Sequence, residues 1–127
     1  SSAAAALMPI IVAGDVDAAL AHLQELREGG LGIESIYLDI LAPLARRFGE
    51  LWDTDRCDFG AVTVGVMRLQ QVMRRLAPEF QAEMPASLPG RRIVLAAMPG
   101  EQHTFGISML AEFFRRDGWD VHDEPLE

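Results

Sequence analysis

Val62, Val66, Leu69, Met73, Leu76 and Phe80 fall at alternating intervals of four and three residues, which places all six along one side of a helix. A stripe of that kind is stable in water only when another helix covers it. Upstream, Ile33, Ile36, Tyr37, Ile40, Leu41, Leu44, Phe48, Leu51 and Trp52 keep the same period. Pro43 should kink or split that long helix, because it lacks a backbone donor and crowds the preceding turn. Residues 15 to 28 predict a shorter amphipathic helix through Val16, Ala19, Leu20, Leu23 and Arg27, with Asp15 or Asp17 as N-cap and Gly29-Gly30 as the stop. Ala3 to Ala13 reads as a further helix, its first turns weakened by Pro9, and Gly14-Asp15 then joins an antiparallel pair. Residues 1–83 are therefore expected to form a four-helix bundle domain.

The pattern changes after residue 83. Residues 84–90, Met84-Pro85-Ala86-Ser87-Leu88-Pro89-Gly90, are expected to be a linker. The run Arg91 to Met98 suits a strand buried on both faces, as in a parallel sheet, and Pro99-Gly100 ends it. A helix should follow, with Ile107, Leu110, Ala111 and Phe114 on one face and Gly118 at its end, and Trp119 to Asp123 begins a second strand. Strand, loop, helix, strand is the opening of a Rossmann-like, flavodoxin-like sheet, so 91–127 is expected to be an incomplete domain of that kind. The fold class expected is mainly α with a partial α/β part. Two strands and one helix leave a sheet face and an edge open, which invites a second copy, so homo-oligomer formation is expected of the fragment.

Net charge narrows the function. At −8 for 127 residues, with its basic residues scattered, the chain repels phosphate backbones, and no direct nucleic-acid binding is expected. The apolar stretch Ala3 to Ala13 is too short to span a bilayer and has no basic flank. A single cysteine, Cys57, makes no internal disulfide, which together with the missing signal points to a cytoplasmic setting.

Chemistry concentrates at Pro99-Gly100-Glu101-Gln102-His103-Thr104-Phe105-Gly106, at the carboxyl end of the first strand, where open α/β sheets place ligands. An imidazole there can reach a metal above the sheet edge, while Glu101 can bond its other nitrogen and fix the tautomer. Gly106 lets a large flat ligand approach the helix start. By chemistry alone a lone loop histidine is more often a surface residue or a cap. His22 and His122 carry no partner signature, and Asp53 and Asp55 read as caps and solubilising charge rather than as an acid-base pair. No nucleophile constellation, P-loop or zinc cluster is present in the sequence, so the chain is not expected to be an enzyme.

Glu101-x-His103-x-x-Gly106 resembles the DxHxxG motif of cobalamin-binding domains, with Glu in place of the usual Asp. The bundle upstream, from Ile33-Glu34-Ser35-Ile36-Tyr37-Leu38-Asp39 through Gly49-Glu50-Leu51-Trp52, is similar to the helical cap of that family. The resemblance implies that His103 is the lower axial cobalt ligand, that Gly106 lies under the corrin, and that Glu101 and Thr104 belong to the same cofactor-binding loop. It covers essentially the whole chain. In CarH- and AerR-like photoreceptors a Trp precedes a Glu-His pair that shields or ligates the upper cobalt face. Here the corresponding residues are Val62 and Thr63, which removes the upper His and implies an apolar upper pocket of Trp52, Val62, Thr63 and Val66. The segments Arg56-Cys57-Asp58-Phe59, Val62-Thr63-Val64-Gly65 and Arg68-Leu69-Gln70-Gln71, with the Glu101 loop, look most like the SCHIC haem-or-cobalamin sensor domains of AppA and PpaA photosynthesis regulators. In that case His103 could bind haem iron instead and Cys57 could be a second ligand. Cys57 as a small buried hydrophobe is the plainer alternative.

Three functions follow from these features. The first is a cobalamin or haem sensor acting, in response to light, redox or oxygen, through a protein partner such as a transcription regulator. The second is a corrinoid carrier for methyl transfer, and the third a bundle that only binds partners through the Val62 to Phe80 stripe.

Overall fold

The computed structural model describes residues 2–53, 59–82, 91–97 and 104–123. The chain divides into two compact units, Ser1–Arg75 and Leu76–Glu127.

The first unit is helical. Helix α1 spans Ser2–Ala13 and includes Pro9, so its Ala4, Leu7 and Ile11 line is buried although one backbone bond is missing. Gly14, at φ +96°, makes the sharp turn into α2 (Val16–Glu28), a conformation that side chains with a Cβ resist. Of the two candidate caps it is Asp15 that acts, its carboxylate accepting from the Ala18 N–H at 2.9 Å. Gly29 ends the helix, and Gly30 follows at φ +106°.

The helix expected over 33–52 is built in three pieces: α3 (Ile33–Ser35), a π-helical segment Ile36–Leu41, and α4 (Ala42–Asp53). Pro43 is the physical cause. It offers no N–H to the Asp39 carbonyl and its ring crowds that carbonyl, and the widened turn lets the Ala42 N–H reach back to Tyr37 instead. Ile36, Tyr37, Ile40 and Leu41 stay buried through the bulge. Tyr37, the chain's single tyrosine, donates its hydroxyl to the Met73 carbonyl at 3.4 Å, so this buried phenol keeps a partner.

Helix α5 (Phe59–Gln81) carries the long stripe. Val62, Leu69, Met73, Leu76 and Phe80 are buried as the spacing requires; Val66 is half-buried, and Val72 joins the core from beside the stripe. Gly65 admits the Phe48 ring so closely that a Cβ there would lie 2.6 Å from Cε1. Arg68 reaches the end of α1 and donates to the carbonyls of Ile11 at 2.9 Å and Val12 at 3.0 Å, satisfying two of the last acceptors of that helix.

In the second unit, β1 (Arg92–Leu95) and β2 (Asp120–Asp123) pair in parallel, with Arg92 opposite Asp120 and Leu95 opposite Asp123, and α6 (Phe105–Arg116) crosses between them. This is the β-α-β start expected from the sequence. The strand is shorter than 91–98, however, and it is not buried on both faces: Val94 is 67% exposed and Ile93 and Leu95 are half-buried. With one helix packed against a two-stranded ribbon, only one face is covered. The expected α6 face also shifts. Leu110 is exposed while Phe105, Met109 and Ala111 are buried, because α6 has two apolar neighbours rather than one. Phe114 meets Trp119 edge to face at 5.5 Å, and Phe113 meets Phe80, from the end of α5, at 4.9 Å. Gln81 donates to the Glu112 carbonyl at 3.1 Å and also to its carboxylate. The linker expected at 84–90 lies outside the described residues.

Candidate functional site

The loop that should hold the metal runs from the end of β1 to the start of α6. Glu101 and His103 lie outside the described residues, as do Cys57 and Asp55; Trp52 lies in the last turn of α4, but its side chain is not among those described. What the structure does place is the exit from that loop. Thr104 is the N-cap residue of α6, half-buried, and its side chain makes no capping bond, while its carbonyl accepts from the Ser108 N–H at 3.1 Å. Its hydroxyl is therefore not spent on the helix start. Gly106 is exposed, and a Cβ built on it would have no atom within 4 Å. Among the described residues nothing in the packing demands a glycine there.

In the cap, the residues expected to line an upper pocket point different ways. Val62 is 3% exposed and belongs to the bundle core, Val66 is half-buried, and Thr63 is exposed. Thr63 shares the outer side of α5 with two residues that the sequence reading missed as surface groups, Val64 (38% exposed) and Met67 (57% exposed). Beyond them the same side becomes polar with Gln71, Arg74 and Arg75. The outer side of α5 is thus apolar in its first half and polar in its second. The signal was available, since Val64 and Met67 lie about 120–180° from Leu69 and Met73 on a helical wheel.

Residues 62 and 63 supply neither a carboxylate nor an imidazole. Among the described residues no group of three or more His, Cys, Asp and Glu side chains could hold a metal ion. The side chain of His122 is exposed and that of His22 half-buried, its Nε2 enclosed without a hydrogen-bond partner. Such a donor set does not build a free-standing metal centre.

Residues 4–77 match the B12 binding domain family, and the chain belongs to that family. The matched span covers the helices from α1 into α5. An uncharacterized 20.5 kDa protein in the bchF-crtJ intergenic region of Rhodobacter capsulatus is 33% identical over 97 residues, 76% of this chain and 50% of that protein. The chain thus spans about half the length of this relative. The match gives cobalamin as the cofactor of the family and lends the haem alternative no support. Among the described residues no helix is long and apolar enough to cross a membrane.

Proposed function

We propose that this chain is the cap and first β-α-β portion of a cobalamin-binding regulatory module, which reports a change in its cofactor to a protein partner rather than catalysing a reaction itself. The observation that carries this reading is the outer side of α5: Thr63, Val64 and Met67 give an apolar stretch within the matched span, and position 63 offers a hydroxyl where the photoreceptor relatives place an imidazole. His103 would hold the cobalt through one ring nitrogen and Glu101 would accept its other N–H, holding the imidazole in the tautomer that binds metal. Gly106 would leave room beneath the ring, and Thr104, with its hydroxyl unused by the helix, would bond a polar edge. Cobalamin supplies a cobalt-carbon bond that light or a nucleophile can break; the chain orients, shields and exposes that bond. Resemblance to regulators of bacterial photosynthesis favours light or redox as the signal and a transcription regulator as the partner. The division into 1–83, 84–90 and 91–127 belongs to the same reading.

The missing upper donor also suits a corrinoid carrier, whose upper face must stay open for methyl exchange. The two functions separate on exposure to light: a sensor reconstituted with an alkylcobalamin changes its partner affinity on illumination, and a carrier does not.

The test of the binding site uses the full-length protein reconstituted with cobalamin. His103→Ala should shift the cobalamin absorption bands and weaken binding, and Glu101→Ala should weaken it less, by about 10–100-fold, as expected of a group that orients a ligand. Cys57→Ser should leave the cobalamin spectrum unchanged. An unaltered spectrum in His103→Ala removes the ligand assignment and leaves a bundle used for partner binding.

A further inference from the structure

The β-α-β unit gathers two pairs of arginines that stand apart in the sequence, Arg91-Arg92 and Arg115-Arg116, at one of its ends. Arg92 opens β1 opposite Asp120, which opens β2, and the Asp120 N–H donates to the Arg91 carbonyl at 2.9 Å. Helix α6 runs back between the strands and finishes at Arg116, shortly before Trp119. This end is opposite the carboxyl end of β1. The arginines there are used differently. Arg115 is spent within the fold, bonding the Val121 carbonyl at 3.5 Å and pairing with Glu112 at 3.7 Å. Arg91 and Arg116 lie on aromatic rings: the Arg91 guanidinium stands 5.6 Å from the centroid of Trp119, and that of Arg116 stands 4.4 Å over Phe80. Trp119 is itself braced edge to face by Phe114. A guanidinium that rests on a ring is held by its face, which leaves its N–H edge for a planar two-point bond to a carboxylate. Arg91 is exposed and makes no hydrogen bond or ion pair among the described residues. Arg92 is 81% exposed and meets Asp120 at 3.8 Å with both side chains in water, so another carboxylate can replace that contact at little cost.

We propose that this end of the β-α-β unit docks a short acidic segment of a partner protein, whose carboxylates bond Arg91 and Arg92 while its apolar part lies against Trp119. A few carboxylates fit within the arginine surface. A nucleic acid carries its phosphates on beyond it, across a chain of net charge −8 that repels them. The surface rests on the regulatory reading only for there being a partner, and no cofactor enters the argument.

The test titrates a fluorescein-labelled octaglutamate peptide with the full-length protein at low salt and follows the anisotropy of the label. The peptide should bind, and Arg91→Gln with Arg92→Gln should weaken binding about fivefold to tenfold, as the loss of two exposed ion pairs would. Arg46→Gln with Arg47→Gln removes the same charge from exposed positions on α4 and should weaken it by less than about twofold. The cobalamin absorption bands should be the same in both double variants, which keeps this result separate from the His103 test. Absence of peptide binding overturns the surface, and so do equal losses in the two double variants. Tighter binding of a short DNA duplex than of the peptide overturns it in favour of a nucleic acid. Self-association that the Arg91 and Arg92 changes abolish, in a protein that does not bind the peptide, overturns it in favour of a second copy. A shift of the cobalamin bands in the Arg91 and Arg92 variant overturns it as well, by placing the pair at the cofactor.

Discussion

Gly65→Ala adds one methyl group where α5 meets the Phe48 ring of α4, and its effect can be worked out from the contact it makes. The new Cβ would stand 2.6 Å from Phe48 Cε1 and 2.7 Å from Cζ, inside the van der Waals envelope, and Phe48 is only 1% exposed. The ring must turn off its rotamer or α4 must move away, at about 1–3 kcal/mol for an overpacked core. Against this, replacing glycine by alanine in a helix returns about 1 kcal/mol. A net loss of about 1 kcal/mol is expected. Gly49→Ala is the matched control, since it makes the same chemical change in α4 with no atom within 4 Å of the new methyl. That variant should gain up to about 1 kcal/mol, so the two should shift the urea midpoint in opposite directions. Adding Phe48→Leu to Gly65→Ala should recover part of the loss by making room. If Gly65→Ala and Gly49→Ala unfold at the same denaturant concentration, the crossing is looser than described and the reasoning fails.

Leu69→Asp puts a carboxylate at a fully buried position with no described partner, at a cost of several kcal/mol, roughly ~3–5 for an uncompensated charge; the helical circular dichroism of the cap should collapse, and its survival would mean that the stripe is not core. Arg68→Met keeps the length of the side chain but removes the guanidinium bond to the Val12 carbonyl and one of two bonds to the Ile11 carbonyl, which also accepts from the Gly14 N–H, and should lower stability by about 1 kcal/mol in thermal unfolding. Asp15→Ala should cost about 1 kcal/mol through the lost cap of α2. Asp17→Ala should change far less, because the Arg75 pair it breaks is exposed on both sides and such pairs contribute at most ~1 kcal/mol.

The bundle was legible because its elements obey one period and its turns carry their own chemistry. Asp15, Gly14 and Gly29 act locally, so a reading of neighbours in sequence finds them. The β-α-β order was legible for the same reason, from a change of period between residues 83 and 91. What periodicity missed was set by neighbours distant in sequence. It buried Leu110 and both faces of β1, because an apolar residue counts as inward until the number of covering elements is known. It predicted a break at Pro43 but not that a π turn would absorb it without exposing Ile40 or Leu41. At the site, Val62 belongs to the bundle core and Thr63, about 100° further round the helix, to the outer side of α5.

Gly14 and Arg68 also bear on how this sequence can drift. A Cβ at position 14 would stand 3.0 Å from the Arg68 guanidinium, while the backbone there, at φ +96°, already disfavours one. The arginine occupies the space that the glycine vacates, and from that space it holds the final carbonyls of α1. Neither residue can be exchanged first without loss: a larger residue at 14 displaces the guanidinium, and a shorter one at 68 takes its bonds from the Ile11 and Val12 carbonyls while the turn still demands glycine. Across descendants of this sequence the two positions should therefore be inherited as a pair, and departures at one should coincide with departures at the other despite the 53 residues between them.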